Sequence, residues 1–542
     1  MEFDTVIQDG QVIDGSGRPR FRADIGLQDG KIAAVASGER LSARRAIDAN
    51  GLVVAPGFID VHSHAEWILP LSDHASILAP LVLQGITTVI SGNCGFSPAP
   101  VTESSAPLVD RTAGMLRDRP LEYSWRSFAE FLDTLQTNSL LLNCAVLVGH
   151  GALRLAAMGD RTGPPTSAEL EAMCALARLS LRQGAAGFSA GLAYAPGVFA
   201  KNDELLALLK VTAGEGRIFT VHGRAYSWVS PFYQPMFFGA PHNLRSVREI
   251  IGLASQAGVR LQLSHQIFVG RRTWRTARSV LKEIELAAAQ GLDIAFDAFP
   301  YTVGNSTINV IFPEWFLAGF LQNVNDLACL RRLKRDIDLL RLALGIGYAD
   351  LRLLVSGVPE LEHLEGLDFA EIAHRLRLPE FEAYMHVARL SQGDARILLG
   401  TYSGDEQEET PLRLALSHPL CAFMTDTILS HHPRHNPASF GTFPRILGRY
   451  SRDLGLFSLE EAVRRMTSFP ASRIGLQDVG RIAAGLPADL VLFDPLKVAD
   501  HTTPTQTDLP PTGIQAVLIA GEVVAQQGKL VDGVLKGRVL RG

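Results

Sequence analysis

The middle of the chain alternates between short apolar runs and longer amphipathic stretches, and this rhythm constrains the fold more than any other feature. Runs such as ITTVISGNCG, RIFTVHGR and VRLQLSHQ are typical of buried strands that end in polar or glycine-rich loops. Stretches such as SAELEAMCALARLSLRQ and RTARSVLKEIELAAAQG lie between such runs and are typical of helices. Repeated alternation over this length predicts an α/β fold with parallel strands, and it favours a closed (β/α)8 barrel over an open sheet.

The two ends of the chain differ from the middle in their sequence pattern. Residues 1–56 contain Val/Ile-rich runs broken by DG and GSG turn signals, and a similar pattern returns over residues 480–542. We therefore expect both termini to fold together into one small β-sandwich domain. The barrel is then assigned to residues 57–479.

One segment of the middle interrupts the strand–helix rhythm. A charged, helix-like sequence pattern, as in LACLRRLKRDIDLLRLALG, extends over residues of about 312–395. The sequence predicts a helical insertion between late barrel strands, and it leaves open whether this is a lid or a subunit contact. A homo-oligomer therefore also stays open.

Composition excludes several classes of protein. Among 542 residues the formal net charge is -5, and no basic run indicates a nucleic-acid partner. Neither GxGxxG after the first strand nor GxxxxGK[ST] is present, which argues against a nucleotide-binding sheet. There is no apolar run long enough to span a membrane and no signal-peptide pattern. Five scattered cysteines without CxxC spacing fit a reducing compartment, so we expect a cytoplasmic protein.

Five strand-like runs end in residues that can bind a metal or move a proton. His62 and His64 follow LVVAPGFID two positions apart, so their side chains point into one space. The other four runs end in Cys94, His222, His265 and Asp426. Taken singly, a buried Cys or His more often packs in a core than binds a metal. In a barrel, however, the C-terminal strand ends meet on the face where active sites lie.

These residue types together indicate zinc chemistry. Histidine and cysteine with an available carboxylate suit zinc, and a catalytic zinc keeps one coordination position open for water. The metal lowers the pKa of that water to about 7, and a nearby carboxylate can accept its proton. The sequence thus predicts a hydrolase with one or two divalent ions and a small-molecule substrate.

Several segments, in this order, resemble one known family. GFIDVHSH, SGNCGFS, VGHGALR, GLAYAPGVFA, GTFPRILG and GLPADLVLFDP are similar to the D-aminoacylase (N-acyl-D-amino-acid deacylase) branch of the amidohydrolase superfamily. The resemblance covers nearly the whole chain and is weakest across the helical insertion. SGNCG and GTFPR are its most specific segments. It implies hydrolysis of non-peptide C–N bonds in an amide substrate.

The resemblance also implies roles for the residues at the strand ends. His62 and His64 would hold one metal position, which in this branch is weakly occupied. Cys94, His222 and His265 would hold the tighter one. Asp426 would serve as general base and then general acid.

Cys94 stands where many relatives use a carboxylated lysine as the bridge between metals. The lysines between the His pair and Asp426 all lie outside strand-like runs, which leaves Cys94 as the better bridge candidate; they are Lys201, Lys210, Lys282 and Lys334.

For the substrate, the resemblance implies that Arg434 grips a carboxylate and that Tyr301 helps to hold the same group. Tyr194 and Ser306 are further pocket candidates.

Three departures from the family pattern concern the substrate more than the metal. The usual HIRDE segment here reads His222-Gly223-Arg224-Ala225-Tyr226, and the usual SDG reads Thr425-Asp426-Thr427. The lysine of SHLK is replaced by Ile267, which removes a cation and adds apolar surface. We therefore expect a less charged or bulkier acyl-amide, a cyclic amide or a carbamate as substrate.

Other functions remain open at this point. A cyclic-amide hydrolase of the hydantoinase or dihydropyrimidinase type would share the barrel, but it normally needs a strand lysine. A deaminase, which would need a proton-shuttling Glu near a zinc histidine, is the less favoured alternative. An inactive scaffold would need none of the strand-end residues.

Overall fold

The two ends of the chain form one nine-stranded sheet in the computed structural model, which describes residues 2–236 and 238–542. The strands are Phe3–Val12, Phe21–Gln28, Lys31–Ala36, Ala43–Asp48, Val53–Pro56, Leu490–Phe493, Ile514–Ile519, Glu522–Gln526 and Lys529–Leu530. Val53–Pro56 pairs antiparallel with Leu490–Phe493, and this pairing joins the termini.

The strands of the expected sandwich are thus hydrogen-bonded into a single sheet. A break in register between Ile7 and Gly10, with Asp9 in the left-handed backbone region, bends the first strand. Side chains from both ends, including Ile25 and Leu518, pack into one apolar cluster within this sheet domain.

Eight parallel strands form the barrel. They are β1 (Phe58–Asp60), β2 (Ile86–Ser91), β3 (Asn143–Val146 with Val148–Gly149), β4 (Gly187–Gly191), β5 (Ile218–His222), β6 (Arg260–Leu263), β7 (Ile294–Ala298) and β8 (Cys421–Phe423). Neighbours in this order are paired from β1 to β3 and from β3 to β8. This arrangement confirms the predicted (β/α)8 barrel.

Helices surround the barrel, and two of those between β2 and β4 begin with capping boxes, at Ser127 with Glu130 and at Thr166 with Glu169. The helices outside the inserted segment are His74–Leu83, Ala106–Thr112, Phe128–Thr137, His150–Met158, Ser167–Arg182, Asn202–Gly214, His242–Ala257, Ala277–Ala289, Thr410–Ser417, Ala438–Arg445, Leu459–Met466 and Ser468–Ile474. In the part of the chain that the structure describes, no helix combines the length and apolar character needed to cross a membrane.

The segment between β7 and β8 folds as a unit with its own apolar core, and we call residues 304–399 the inserted unit. Its helices are Glu314–Leu317, Phe320–Asn323, Leu327–Leu344, Phe369–Leu376 and Glu380–Leu390. It also contains an antiparallel three-stranded sheet of Gly304–Thr307, Leu351–Val355 and Arg396–Leu399, which the prediction of a purely helical insertion over 312–395 did not include. Two of these strands, Gly304–Thr307 and Arg396–Leu399, flank the segment 312–395. The third, Leu351–Val355, is short and lies within charged, helix-like sequence, so its period-2 signal is weak.

Contacts between the ends of β1 and β8 close the barrel. The His64 N–H donates to the Thr427 carbonyl at 3.1 Å, and the Asp426 N–H donates to the His62 carbonyl at 3.0 Å. Next to them, the carboxylate of Asp60 is fully buried and accepts hydrogen bonds from both the backbone N–H and the hydroxyl of Thr425. Burial raises the pKa of Asp60 to about 7, and the Thr425 hydrogen bonds oppose that rise.

Replacing Thr425 by Val should destabilise the protein, because a buried carboxylate then loses a hydroxyl donor. We expect the free energy of unfolding to fall by about 1–3 kcal/mol, measured by urea and thermal unfolding. Thr427→Val is the matched control, since the Thr427 hydroxyl is buried without a partner among the described residues. Equal destabilisation by the two variants would contradict this account of barrel closure.

Candidate functional site

The thiol of Cys94 lies at the centre of a group of histidines at the C-terminal end of the barrel. Its Sγ is 3.2 Å from His62 Nε2, 3.5 Å from His265 Nε2 and 3.9 Å from His222 Nδ1. The last two nitrogens are 2.9 Å apart. The structure therefore brings together side chains that the sequence separates by more than 170 residues.

Two sets of three potential metal ligands share this thiol. One set is His62, His64 and Cys94, and the other is Cys94, His222 and His265. Within each set the ligand atoms lie within 4.8 Å of one another. Cys94 belongs to both sets, so its sulfur could serve either metal position.

The Cys94–His222–His265 set fits a tetrahedral zinc ion. Zn–N distances of about 2.0–2.1 Å and a Zn–S distance of about 2.3 Å imply separations of roughly 3.3–3.6 Å between ligand atoms in a tetrahedron. The observed separations of 2.9, 3.5 and 3.9 Å bracket that range. Imidazole and thiolate are also the donor types that zinc prefers.

Asp426 places a carboxylate beside the histidines of the first set. Its Oδ1 is 3.4 Å from His62 Nε2 and 3.7 Å from His64 Nε2. The side chain keeps 19% of its surface exposed, whereas His62 and His64 are almost wholly buried. A carboxylate in this position can exchange a proton with a molecule that enters from solvent.

The backbone is strained at three of the residues in the site. Cys94, His265 and Asp426 have φ values of 57°, 30° and 52°, in the left-handed region that non-glycine residues rarely adopt. Such conformations cost of order 1–3 kcal/mol each and cluster at functional sites. Here each one occurs just after a barrel strand or its loop and turns the side chain toward the others.

Electrostatics in the site favour a thiolate. Burial alone would raise the pKa of Cys94, but the charge of the neighbouring His62 and the contacts with His265 and His222 outweigh it and hold that pKa well below its ordinary value. Burial lowers the pKa values of His222 and His265, so these rings are kept neutral. A thiolate and neutral imidazoles are the protonation states that bind metal, and the Cys94–His222–His265 set meets this condition. For His62 and His64, burial lowers the pKa but contacts with Cys94 outweigh it, raising the pKa of His64 to about 10 and that of His62 well above its ordinary value, so metal binding there must displace protons.

Two buried carboxylates behind the histidines were missed in the sequence. Glu66 Oε1 lies 3.3 Å from His64 Nδ1, and Asp297 Oδ1 lies 3.4 Å from His62 Nδ1. Asp297 lies within the strand-like run LDIAFDAFPY, next to the last residue of the strand Ile294–Ala298, so a polar residue in an apolar strand was an available signal. Glu66 lies two positions after His64 in His64-Ala65-Glu66, so the sequence carried an HxE signal that the expectation about a deaminase overlooked.

Tyr194, predicted as a pocket residue, lies beside the ligands. Its hydroxyl donates to the Cys94 carbonyl at 2.9 Å, and its ring meets the His222 ring edge-on at 4.9 Å between centroids. Its ring also stacks on Phe96. Tyr194 therefore fixes the loop that carries Cys94.

Tyr301, predicted to hold a substrate carboxylate, has its hydroxyl engaged elsewhere. The hydroxyl is 3.0 Å from the Asp500 carboxylate and 3.1 Å from the Thr502 hydroxyl. Arg445 binds the same carboxylate at 3.1 Å. This arrangement differs from the expectation, because the C-terminal segment supplies partners that the motif alone does not reveal.

Ser306 lies within the inserted unit, and Arg434 lies next to it. Ser306 pairs with Ile397 in its small sheet, and Ile397 packs into the core of that unit, so the two side chains share that face. The Arg434 guanidinium is 4.0 Å from the Glu365 carboxylate and is partly exposed. Contact of either residue with substrate stays a prediction.

Two of the positions that depart from the family pattern, Tyr226 and Ile267, carry largely apolar side chains near the candidate ligands. The Tyr226 ring packs edge-on against both His222 and His265, with centroids 5.0 and 5.1 Å apart, and its hydroxyl donates to the Ser264 carbonyl. Ile267 is 8% exposed and belongs to the apolar cluster inside the barrel. No cation therefore stands at position 267.

Comparison with known proteins identifies full-length relatives. The chain is 32% identical to D-aminoacylase from Alcaligenes xylosoxydans xylosoxydans, covering 99% of this chain and 97% of the relative. It is 35% identical to N-acyl-D-glutamate deacylase from the same organism, covering 100% and 97%. These relatives confirm the resemblance that the motifs indicated.

Solved structures agree with the sequence comparison. A crystal structure of N-acyl-D-glutamate deacylase from Bordetella bronchiseptica, complexed with zinc and a phosphonate inhibitor, matches with a TM-score of 0.81 at 31% identity over 100% of both chains. L-Hydantoinase from Arthrobacter aurescens matches at 17% identity with a TM-score of 0.56, which shows the shared fold alone. The amidohydrolase family model matches residues 45–525. With full-length relatives above 30% identity, this match shows that the chain belongs to the amidohydrolase family.

Proposed function

We propose that this protein is a zinc-dependent hydrolase of non-peptide C–N bonds, acting on N-acyl-D-amino acids or closely similar amides. The single observation that carries the proposal is the convergence of Cys94 Sγ on three histidine nitrogens within 3.9 Å. The carboxylate of Asp426 stands next to this group, 3.4 Å from His62 Nε2. Relatives named as D-aminoacylase and N-acyl-D-glutamate deacylase support the choice of an amide substrate.

In this proposal Cys94, His222 and His265 hold the tighter zinc ion, and His62 and His64 complete a second position with Cys94. The buried thiolate and, in the tighter set, the neutral imidazoles of His222 and His265 would supply the donor atoms. When bound, zinc lowers the pKa of a coordinated water to about 7 and polarises the amide carbonyl.

Asp426 moves the proton in this mechanism. Its carboxylate accepts the proton of the attacking water and then donates it to the nitrogen of the leaving amine. The hydrogen bond from its backbone N–H to the His62 carbonyl fixes Asp426 relative to the histidines. Its partial exposure leaves room for water and substrate on the same side.

The substrate pocket in this proposal is less cationic than the family pattern implies. Tyr194 lies against the ligands, and Arg434 is the remaining candidate for a carboxylate contact. The Tyr301 hydroxyl is engaged by Asp500, and Ile267 offers only apolar surface. We therefore propose a substrate with an uncharged side chain.

The five cysteines support a cytoplasmic location for this enzyme. The structure describes all of them, and each is unpaired. Unpaired thiols, one of them a proposed metal ligand, persist best in a reducing compartment.

Replacing Asp426 by Asn should reduce turnover of N-acetyl-D-amino acids by about 10²–10⁴-fold, because the amide cannot accept the proton. Bound metal per chain, measured by elemental analysis, should stay unchanged. Asp494→Asn, in the terminal sheet domain, is the matched control and should keep wild-type turnover. A turnover of Asp426→Asn within about threefold of wild type would contradict the assigned role.

Removing a ligand should change metal stoichiometry in a way that depends on the set to which it belongs. His265→Ala should abolish tight zinc binding and activity together, because it removes a ligand of the tighter set. His62→Ala should lose only the second ion and keep close to one equivalent. Elemental analysis after dialysis checks both, and loss of all metal from His62→Ala would contradict the assignment of the tighter set.

Replacing Ile267 by Lys should shift substrate preference toward acidic side chains. A charge-assisted contact contributes about 1.5–3 kcal/mol, so the kcat/KM ratio for N-acetyl-D-glutamate over N-acetyl-D-leucine should rise roughly 10–100-fold. Ile267→Val is the matched control and should keep the wild-type ratio. If the wild-type protein already prefers N-acetyl-D-glutamate, the uncharged-substrate proposal fails, although amide hydrolysis itself would stand.

A further inference from the structure

Asp297, a buried carboxylate outside the proposed ligand set, lies between two of the proposed ligands. The residue is at the end of β7 and is 1% exposed. Its Oδ1 accepts a hydrogen bond from the backbone N–H of His265 at 2.6 Å and lies 3.4 Å from His62 Nδ1. Its Oδ2 accepts a hydrogen bond from Gln262 Nε2 at 2.8 Å. One side chain therefore contacts a member of each ligand set and is itself held in place.

The contact with His265 bears on a strained backbone. His265 has a φ of 30°, in the left-handed region, and this conformation turns its imidazole toward Cys94. A non-glycine residue keeps such a conformation only where the surroundings hold it. The hydrogen bond from the His265 N–H to a charged carboxylate is such a constraint, because charge-assisted hydrogen bonds are stronger than neutral ones.

The contact with His62 is on the ring nitrogen that faces away from the site. His62 Nε2 faces Cys94 and Asp426, and its Nδ1 faces Asp297. A histidine that binds a metal through one nitrogen commonly donates its other N–H to a carboxylate, which fixes the tautomer and the ring orientation. In this structure His62 Nδ1 has no hydrogen-bond partner among the described residues, and the Asp297 carboxylate, 3.4 Å away, is placed to accept its N–H when the ring binds a metal.

We propose that Asp297 is a positioning residue that holds His62 and His265 in place for metal binding, one in each ligand set. It acts through these two histidines and contacts neither the metal nor the substrate. The inference rests on the proposed function, because it presupposes that the two ligand sets bind metal. It predicts that a single substitution at Asp297 weakens binding at both positions.

The test is a titration of the metal-free, full-length protein with Co²⁺. Binding is followed through the charge-transfer absorption between the Cys94 thiolate and cobalt, and the stoichiometry is determined by elemental analysis. Asp297→Asn keeps the shape of the side chain and removes its charge. We expect Co²⁺ affinity to fall about 10–100-fold, the usual effect of losing a carboxylate behind a metal-binding histidine.

Asp489→Asn is the matched control. Asp489 is also a buried carboxylate that accepts one hydrogen bond from a side-chain amide, Asn143 Nδ2, and one from a backbone N–H, that of Ala520, both at 2.8 Å. The backbone carbonyl of Asp489 accepts a hydrogen bond from the N–H of Gly57. Gly57 directly precedes β1, so this contact lies at the end of the strand that is farther from His62. We expect this control to lower the Tm of the metal-free protein and to leave Co²⁺ affinity unchanged.

The outcomes separate the inference from the proposed function. If the wild-type protein shows no thiolate–cobalt absorption, the proposed metal centre fails. If the wild type binds Co²⁺ and Asp297→Asn binds it equally tightly, only the positioning role of Asp297 is overturned. If Asp297→Asn does not fold, Gln262→Leu decides, since it removes the donor that holds Asp297. Severalfold weaker binding then supports the inference, and unchanged binding overturns it.

Discussion

The site depends on how β1 and β8 meet when the barrel closes. At this seam Thr425 donates two hydrogen bonds to the buried carboxylate of Asp60, and the next residue, Asp426, donates its N–H to the His62 carbonyl. The same few residues thus complete the fold and set the distance between the proposed base and His62. A barrel that closed with another register would separate these two groups, because a shift by one residue turns alternate side chains to the opposite face.

Strain and burial then determine the chemistry of the centre. Left-handed backbone at Cys94, His265 and Asp426 brings a thiol, an imidazole and a carboxylate together from distant strands. The histidines around the buried thiol of Cys94 hold its pKa well below the ordinary value, and Asp297 and Glu66 lie behind those histidines. The geometry of the site therefore depends on the residues that contact the candidate ligands, as well as on the candidate ligands themselves.

Much of this could be predicted from the sequence, because barrel strands carry a strong local pattern and their C-terminal ends must converge. That reasoning predicted the barrel, the pairing of the termini and the convergence of Cys94 with the histidines. It did not predict the engagement of Tyr301 by Asp500, since the two residues are 199 positions apart and lie on separate elements. It also missed the strands of the inserted unit and the contacts of Asp297, which depend on tertiary packing and on backbone conformation.

The most direct test of the central claim is X-ray absorption spectroscopy of the zinc-loaded protein at the zinc edge. If Cys94 is the ligand shared by both sets, the spectrum will contain a sulfur scatterer at about 2.3 Å together with nitrogen or oxygen scatterers at about 2.0–2.1 Å. The sulfur contribution will disappear in Cys94→Ser. A spectrum of the wild-type protein with only nitrogen and oxygen scatterers would contradict the account.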